Sequence, residues 1–233
     1  MSRLRPRVCA VLPLKPFGDA KERLATKLNP AGRRLIAEAM ARDVLAALPR
    51  CELITDIAVI SVEPMVAEIA RGNTSAILAD GGLGHSEATA IGIDWAVEHG
   101  CDIVLSVPGD CPLIDPREID DLIERCVGDE IEVAVIPDRS TTGTNALLLA
   151  PPRAIAPSFG PGSRARHLAH GLAAGRRTAA IDVPSLALDL DTADDLLELA
   201  ERVAGGGHGA ITTEQAIAEL LTDRRKLPGG FAR

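Results

Sequence analysis

Aromatic residues are nearly absent from this chain. Aromatic side chains make up 2% of its 233 residues, there is no tyrosine, and the single tryptophan is Trp95. Proteins that bind single-stranded nucleic acids stack the bases on aromatic side chains. The formal net charge of -8 also disfavours nucleic acids, because a phosphate backbone requires a basic surface. The composition therefore excludes nucleic acid as a general partner, and it disfavours sugar-nucleotide glycosyltransferases, which usually carry aromatic sugar platforms.

Cysteine pairs and histidine clusters are also lacking. The five cysteines are scattered and contain no CxxC motif, which argues against a disulfide framework and a zinc cluster and favours a reducing cytoplasm. The five histidines show no metal-ligand spacing, and none neighbours an obvious nucleophile, so Ser-His-Asp and Cys-His hydrolases are disfavoured. No run approaches the ~20 apolar residues that span a bilayer, so we predict no membrane partner.

The usual phosphate-binding motifs are missing as well. There is no GxxxxGK[ST], and GPGSRA over residues 160–165 is a poor dinucleotide motif because Pro161 would distort the turn. Gly160 and Gly162 nevertheless free the backbone, and Ser163 stands at a predicted helix N-terminus, where N–H groups favour an anion. An ordinary serine N-cap would have the same sequence.

Seven strand-like runs alternate with helical patterns along most of the chain. Such alternation is typical of βαβ units and predicts a doubly wound, mostly parallel α/β sheet. The predicted strands cover residues 8–14, 57–62, 75–79, 102–107, 131–136, 145–150 and 179–183. The predicted helices cover residues 31–48, 64–71, 86–99, 117–127, 164–174, 192–203 and 212–221.

Two segments interrupt this alternation. Residues 137–145, PDRSTTGTN, join two strands with no helix between them, which indicates an antiparallel excursion or a loop over the site. Residues 205–209 form a glycine-rich linker. We therefore predict a main domain over residues 1–204, followed by a linker and an accessory tail over residues 205–233.

The most informative carboxylate is Asp110, in VLSVPGDCPL over residues 104–113. An apolar strand runs there into a turn, and ligands of open α/β sheets bind beyond the carboxyl ends of strands. The downstream Asp115 is placed to cap the next helix, whereas Asp110 has no such local role. We interpret Asp110 as a candidate metal ligand, although a turn-stabilising carboxylate has the same pattern.

Three cations, Lys15, Lys21 and Arg23, follow the first strand in the loop KPFGDAKER. Lysine supplies mobile charge and arginine a bidentate fork for phosphate oxygens, so the loop could bind a polyphosphate. A solvated basic loop would look the same.

A pair of acids in LDLDT, Asp189 and Asp191, lies on one face of a short extended segment. Together with Asp110 they would suit Mg²⁺, which prefers hard oxygen ligands. Asp191 could instead cap the helix that begins at Thr192, and the acids of that helix, Asp195 among them, are expected to be solvated.

Five segments together resemble the 2-phospho-L-lactate guanylyltransferase family, which includes phosphoenolpyruvate and 3-phospho-D-glycerate guanylyltransferases. They are PLKPFGDAKERLA, GDCPLI, PDRSTTGTNALLL, FGPGS and LDLDTADDL, in matching order over about residues 8–203. Members have a nucleotidyltransferase fold of the nucleotide-diphospho-sugar transferase type. They transfer GMP from GTP to the phosphate of a small three-carbon acid, releasing pyrophosphate, in the biosynthesis of coenzyme F(420). The resemblance implies the same fold, activity and substrates here.

The resemblance also implies three groups of site residues: magnesium ligands, contacts to the GTP phosphates, and the pocket for the acceptor acid. Lys21 and Asp110 would be catalytic. The magnesium ligands would be Asp110, Asp189 and Asp191, and the contacts to the GTP phosphates would be Lys15, Lys21 and Arg23. The acceptor pocket would be formed by Thr144, Gly160, Gly162 and Ser163.

The chain departs from the family pattern at two places. Cys111 stands where an apolar residue is more usual, and GGLGHSEA lacks the asparagine that is common after its Gly-Leu pair. The second departure leaves the guanine and ribose contacts open, with Ser86 and Glu87 as candidates.

Other interpretations are a molybdenum-cofactor guanylyltransferase and a nucleotide-binding regulatory module that has lost catalysis. The former has a related fold but normally opens with LAGGxSxRMG, which this chain lacks. Intact acids at all three metal positions argue against the latter. The sequence leaves open which acid is the acceptor and which oligomer forms, with a homodimer as one option.

Overall fold

A computed structural model of the chain describes residues 5–19, 21, 24–25, 27–82, 84–192, 194–196, 198–199 and 209–222. The described residues form one seven-stranded sheet. All seven predicted strands are present, with shifted or shortened ends. They are β1 (Val8–Pro13), β2 (Asp56–Ile60), β3 (Ala76–Leu78), β4 (Ile103–Ser106), β5 (Val133–Pro137), β6 (Thr144–Leu149) and β7 (Thr178–Ala180).

The strand order across the sheet is β3-β2-β1-β4-β6-β5-β7. Neighbouring strands are parallel except at β6, which is antiparallel to both β4 and β5. The antiparallel excursion predicted over residues 137–145 is therefore confirmed. Because Ser106 at the end of β4 pairs with Leu147, the first residue of β6, Thr144, extends beyond the carboxyl end of β4.

Helices cover both faces of the sheet, which confirms the doubly wound α/β prediction. The helices α1, α2 and α4 pack on one face, whereas α3 and α5 pack on the other. Strand β1 is buried on both faces, as expected for a central parallel strand: Ala10 and Leu12 join the first apolar cluster, and Cys9 and Val11 the second. The bounds are α1 (Pro30–Ala47), α2 (Pro64–Ile69), α3 (His85–Glu98), α4 (Pro116–Gly128) and α5 (Ser163–Ala173).

Side-chain caps define where two of these helices begin. The Asn29 side chain accepts a hydrogen bond from the backbone N–H of Gly32 at the start of α1. The Asp115 side chain accepts one from Arg117 at the start of α4, so its predicted capping role is confirmed.

A sixth described helix, α6 (Ile211–Thr222), packs against α1. Its N-terminus is held by the buried carboxylate of Asp43, which accepts hydrogen bonds from the backbone of Thr212 (2.9 Å) and Thr213 (2.7 Å). The helix predicted over residues 212–221 is therefore confirmed. Residues 205–208, and part of the helix predicted over 192–203, lie outside the described residues. The division of the chain at residue 204 stays a prediction.

The five cysteines are buried and unpaired. Among the described helices, none combines the length and the apolar character needed to cross a bilayer.

Candidate active site

A cleft of about 880 Å³ opens at the edge of the sheet where β1 and β4 end and β6 begins. The loops after β1 and β4, the β5–β6 connection, the loop before α5 and the segment around Asp189 all contribute to it. Nine predicted site residues line this one cleft: Lys15, Lys21, Asp110, Thr144, Gly160, Gly162, Ser163, Asp189 and Asp191. The tenth, Arg23, lies outside the described residues.

Lys21 connects two of the acids. Its Nζ donates to Asp110 Oδ2 at 2.6 Å and to Asp191 Oδ1 at 2.9 Å. The Lys21 side chain is 6% exposed, whereas those of Asp110 and Asp191 are 31% and 37% exposed. The Lys21 backbone has a φ of 59°, in the left-handed region, which costs a non-glycine residue about 1 kcal/mol. Backbone strain of this kind clusters at active sites.

These ion pairs shift the pKa values of their members. Burial alone would lower the pKa of Lys21, but attraction to Asp110 and Asp191 outweighs it and raises the pKa above its ordinary value. Burial alone would raise the pKa of Asp110, but attraction to Lys21 and the hydrogen bond from its ammonium outweigh that effect and lower it. Both groups are therefore charged at neutral pH.

Asp189 shows the opposite shift. Burial is the main cause that raises the pKa of Asp189, and the negative charge of Asp110 raises it further. Asn145 Nδ2 donates to the carbonyl oxygen of Leu186 at 2.7 Å and also approaches Asp189 Oδ1 at 3.4 Å. A carboxyl group whose pKa is raised by neighbouring carboxylates marks a place where a cation would be stabilised.

The three carboxylates Asp110, Asp189 and Asp191 have the chemistry to hold magnesium. Mg²⁺ is usually bound by one or two carboxylates together with water and substrate phosphates. Across the part of the chain that the structure describes, no group of three or more acidic, histidine or cysteine side chains is placed to hold a metal by itself. Lys21 Nζ occupies the point between Asp110 and Asp191. The acids therefore fit an ion that substrate phosphates would help to bind, rather than a cage made by the protein alone.

Asp191 is not the cap of the helix that follows it. Thr192 Oγ1 accepts from the backbone of Asp195 at 3.3 Å, and Asp195 Oδ2 accepts from the backbone of Thr192 at 2.7 Å, which is a capping box. Asp195 also accepts from the backbone of Asp191 at 3.1 Å and pairs with Arg139 at 3.1 Å. Asp195 is only 7% exposed, so the expectation that it is solvated is wrong. It anchors the segment that carries Asp191.

The loop before α5, residues 158–162, is called the glycine loop because its conformation depends on two glycines. Gly160 and Gly162 have φ values of 104° and 70°, in the left-handed region that favours glycine. Gly162 is the capping residue of α5, and Ser163 is its first helical residue, so Ser163 is not the N-cap. The backbone at the start of α5 therefore lies in the wall of the cleft.

Two consecutive residues of α5 hold this loop in place. The Arg166 guanidinium donates to the carbonyl oxygens of Ser158, at 2.9 Å, and of Pro161. His167 Nε2 accepts from the backbone of Ser158 at 2.8 Å, and its Nδ1 lies 3.0 Å from Thr144 Oγ1. His167 is completely buried, and burial lowers its pKa to about 4. Strand β6 and the glycine loop are therefore joined by one hydrogen-bond network.

The start of α3 forms another wall. His85 lines the cleft, and its ring packs edge-to-face on Phe159 with 4.5 Å between centroids. Ser86 Oγ accepts from the backbone of Phe159 at 2.9 Å, and Glu87 is exposed. The assignment of Ser86 and Glu87 to guanine and ribose contacts stays a prediction.

Among the residues around the site that the sequence analysis missed are Asn145, His167 and Glu63. Glu63 is 7% exposed and accepts from the backbone of Phe17 at 3.0 Å, which holds the loop after β1. Asn145 carries a usable signal, because it is the polar residue in the otherwise apolar run NALLL. His167 carries none, since its two partners are 23 and 9 residues away.

Solved structures share this fold. A nucleotide-diphospho-sugar transferase described as putative, from Desulfovibrio desulfuricans G20, superposes with a TM-score of 0.71 at 16% identity, covering 91% of this chain and 94% of that one. A cytidylyltransferase from Leptospira borgpetersenii gives a TM-score of 0.60 at 15% identity, covering 92% and 94%. The chain therefore has the fold of nucleotide-diphospho-sugar transferases and cytidylyltransferases, as expected from the resemblance.

Sequence comparison defines the family. Residues 8–212 match the family described as "Guanylyl transferase CofC like". A phosphoenolpyruvate guanylyltransferase from Conexibacter woesei is 39% identical over 218 residues, which is 93% of this chain and 98% of that protein. One from Rubrobacter xylanophilus is 42% identical over 193 residues, or 82% and 93%. The chain belongs to the CofC family of guanylyltransferases, and its nucleotidyltransferase activity is the one that the resemblance implied.

Proposed function

We propose that this guanylyltransferase transfers GMP from GTP to the phosphate of phosphoenolpyruvate, in coenzyme F(420) biosynthesis. The observation that carries the proposal is the cleft itself, which brings a buried lysine between two carboxylates to the same space as a glycine loop at a helix N-terminus. Relatives at 39% and 42% identity are named phosphoenolpyruvate guanylyltransferases. Those names favour phosphoenolpyruvate over 2-phospho-L-lactate and 3-phospho-D-glycerate.

The nucleotide would be bound through its phosphates. Lys21 and the exposed Lys15 line the cleft after β1, and Arg23 belongs to the same loop. Asp110, Asp189 and Asp191 would hold Mg²⁺ together with phosphate oxygens. When bound, that ion would supply positive charge against the phosphates. Lys21 would contribute a second, permanent charge from its buried position.

The acceptor acid would occupy the opposite side of the cleft. Backbone N–H groups at the start of α5, with the helix dipole behind them, favour a phosphate or carboxylate. Gly160 and Gly162 have no side chains to prevent close approach of such a group. The Thr144 hydroxyl and Ser163 would complete the pocket.

The transfer needs no general base. An oxygen of the acceptor phosphate attacks the α-phosphorus of GTP, a new P–O bond forms, and the bond to the bridging oxygen breaks as pyrophosphate leaves with the electron pair. The second pKa of a phosphate monoester is near ~6, so the nucleophile is already an anion at neutral pH. Catalysis then depends on in-line positioning and charge neutralisation, which the lysines and the glycine loop are placed to provide.

The decisive experiment is pyrophosphate release with GTP and Mg²⁺, with each of the three acids offered separately, ATP as the nucleotide control, and mass spectrometry of the product. We expect release with GTP and phosphoenolpyruvate, and a product whose mass is the sum of GMP and the acid less water. Release of pyrophosphate with a different acid would identify that acid, instead of phosphoenolpyruvate, as the acceptor. A folded protein that binds GTP but releases nothing would favour the regulatory module.

We also propose that the protein acts in the cytoplasm. The five cysteines are buried as free thiols, a state that a reducing compartment maintains.

A further inference from the structure

His167 is a completely buried polar residue that contacts two neighbouring elements of the cleft wall, the glycine loop and the start of β6. One ring nitrogen, Nε2, lies 2.8 Å from the backbone nitrogen of Ser158 in the glycine loop. The other, Nδ1, lies 3.0 Å from Thr144 Oγ1 at the first residue of β6. Thr144 is partly exposed and lines the cleft. The imidazole therefore links a loop backbone to a hydroxyl that a ligand can reach.

The contact with Ser158 determines which nitrogen carries the proton. A backbone N–H can only donate, so Nε2 must accept and must be unprotonated. Burial keeps the ring neutral at pH 7, because it lowers the pKa of His167 to about 4. A neutral imidazole has one N–H, which must then be on Nδ1. That N–H donates to Thr144 Oγ1.

The direction of this hydrogen bond determines what Thr144 can do. Its oxygen already accepts from Nδ1–H, so the hydroxyl hydrogen is available to donate into the cleft. With the opposite tautomer, Thr144 would donate to the ring and would offer a ligand only acceptor capacity. Hydrogen bonds aligned head to tail in a buried network also strengthen one another.

We propose that His167 is a positioning residue that orients the Thr144 hydroxyl as a donor toward an anionic oxygen, carboxylate or phosphate, of the acceptor acid. The inference rests on the proposed function, in which Thr144 contacts that acid. It assigns His167 a role in acceptor affinity rather than in GTP binding, because the Lys21 site is formed by other residues.

The contact with Ser158 adds a second effect of the same ring. The Arg166 guanidinium donates to the Ser158 carbonyl at 2.9 Å and thereby also holds the loop that leads to Gly160. A loop held before the ligand arrives loses less conformational entropy on binding. His167 therefore supports both the orientation of Thr144 and the position of the glycine loop, and the two effects can be separated by mutation.

Two substitutions of His167 test its two ring nitrogens separately. The Asn side chain in His167→Asn places an N–H donor near the former Nδ1 and nothing near Nε2. The Gln side chain in His167→Gln reaches the Nε2 position, where its oxygen can accept from Ser158, and has no donor near Nδ1. His170→Asn, on the exposed side of the same helix, is the matched control. Thr144→Val removes the hydroxyl, and Thr144→Ser retains it.

The readout is steady-state kinetics with GTP and phosphoenolpyruvate varied separately. We expect His167→Gln and Thr144→Val to raise the KM for the acid about 10-fold or more, as for loss of a hydrogen bond to a charged group. The KM for GTP should stay within about 2-fold, and His167→Asn, Thr144→Ser and His170→Asn should remain closer to wild type in the KM for the acid. Equal effects of His167→Asn and His167→Gln, or no effect of Thr144→Val, would overturn the proposal.

A measurement on the unmodified protein avoids any dependence on the folding of variants. NMR of protein labelled with ¹⁵N-histidine reports the tautomer of each imidazole. We expect His167 as the Nδ1–H tautomer at pH 7, and an Nε2–H or doubly protonated ring would overturn the proposal. Failure of the proposed function would be seen separately, as wild-type protein that transfers GMP to none of the three acids; a correct tautomer with an unaltered acid KM in the variants would remove only the role of His167.

Discussion

The two sides of the cleft differ in the physical means by which we propose that each binds an anion. The charged side, Lys15, Lys21, Asp110, Asp189 and Asp191, is an array of ionisable side chains whose acids are partly exposed. The neutral side, Thr144, Ser158, His167 and the loop of residues 160–163, has a buried, uncharged imidazole at its centre, and the Arg166 guanidinium holds its loop by donating to backbone carbonyls. Coulombic attraction is strong and weakly directional, whereas neutral hydrogen bonds are weaker and directional. The charged side is suited to neutralising phosphates, and the neutral side to orienting a small acid.

The largest effect is expected from Asp110→Asn, which removes a full charge from the charged side and keeps the shape. Turnover should fall by about 10³-fold or more, because phosphoryl transfer depends on fixed charge, and Asp110 pairs with Lys21 and is a proposed ligand of Mg²⁺. Pyrophosphate release measures it, and circular dichroism checks the fold. Asp94→Asn, in an exposed pair with Arg153, is the control and should be close to wild type. Wild-type turnover by folded Asp110→Asn protein would remove Asp110 from the catalytic site.

Lys21→Met tests whether the charged side acts mainly on the nucleotide. Removing the ammonium leaves Asp110 and Asp191 without their shared partner, so kcat/KM for GTP should fall by about 10²–10³-fold. The pKa of Asp110 should rise in this variant, because attraction to Lys21 is what lowers it. If the KM for the acceptor acid changed more than the KM for GTP, the assignment of the two sides would be reversed.

The buried His167 of the neutral side should make the free energy of unfolding depend on pH. The pKa of His167 is about 4 in the folded protein, against 6.5 ordinarily, so the unfolded chain binds more protons between these values. The free energy of unfolding should therefore fall as the pH is lowered, with a His167 contribution of about 2 kcal/mol between pH 7 and pH 5. Urea denaturation at a series of pH values should show that the free energy of unfolding depends more steeply on pH in the wild type than in His167→Asn. Parallel pH profiles would mean that His167 titrates normally in the fold.

The smallest effect is expected from Gly162→Ala. A Cβ there would meet Arg166 Nη1 at 3.6 Å, an ordinary contact, so only the φ of +70° opposes it, at about 1 kcal/mol. The acceptor KM should rise a few-fold while the KM for GTP is retained. Gly128→Ala, in open space at the end of α4, is the control and should be neutral or slightly stabilising. An equal response of the two variants would show that the conformation of Gly162 does not matter for the acid.

The framework was predictable because its signals are local. A buried strand such as β1 appears as a continuous apolar run, and α4 begins at an Asp115-Pro116 pair whose capping chemistry involves neighbouring residues. The position of Asp110 followed from the rule that sheet ligands bind beyond strand ends. The sequence analysis therefore singled out Asp110, which lines the cleft, because a charge is conspicuous at the end of an apolar strand.

The network of the neutral side could not be predicted in the same way. A buried histidine has no characteristic local pattern, and the hydrogen-bond partners of His167 are 23 and 9 residues away. Asp195 was misjudged for a similar reason: in the sequence it is a first-turn acid, but Arg139 and the Asp191 backbone approach it in space.

By itself, the sequence determined the α/β alternation and the placement of Asp110 after a strand, since each depends on residues close together in the chain. It also determined the family, through short segments that occur in a matching order. Only the tertiary structure decided that Lys21 lies between Asp110 and Asp191, which are 89 and 170 residues away, and that His167 lies between Thr144 and the backbone of Ser158. Ion pairs and hydrogen bonds act over a few ångströms through space, so their partners are set by how the strands and loops pack rather than by their order in the chain.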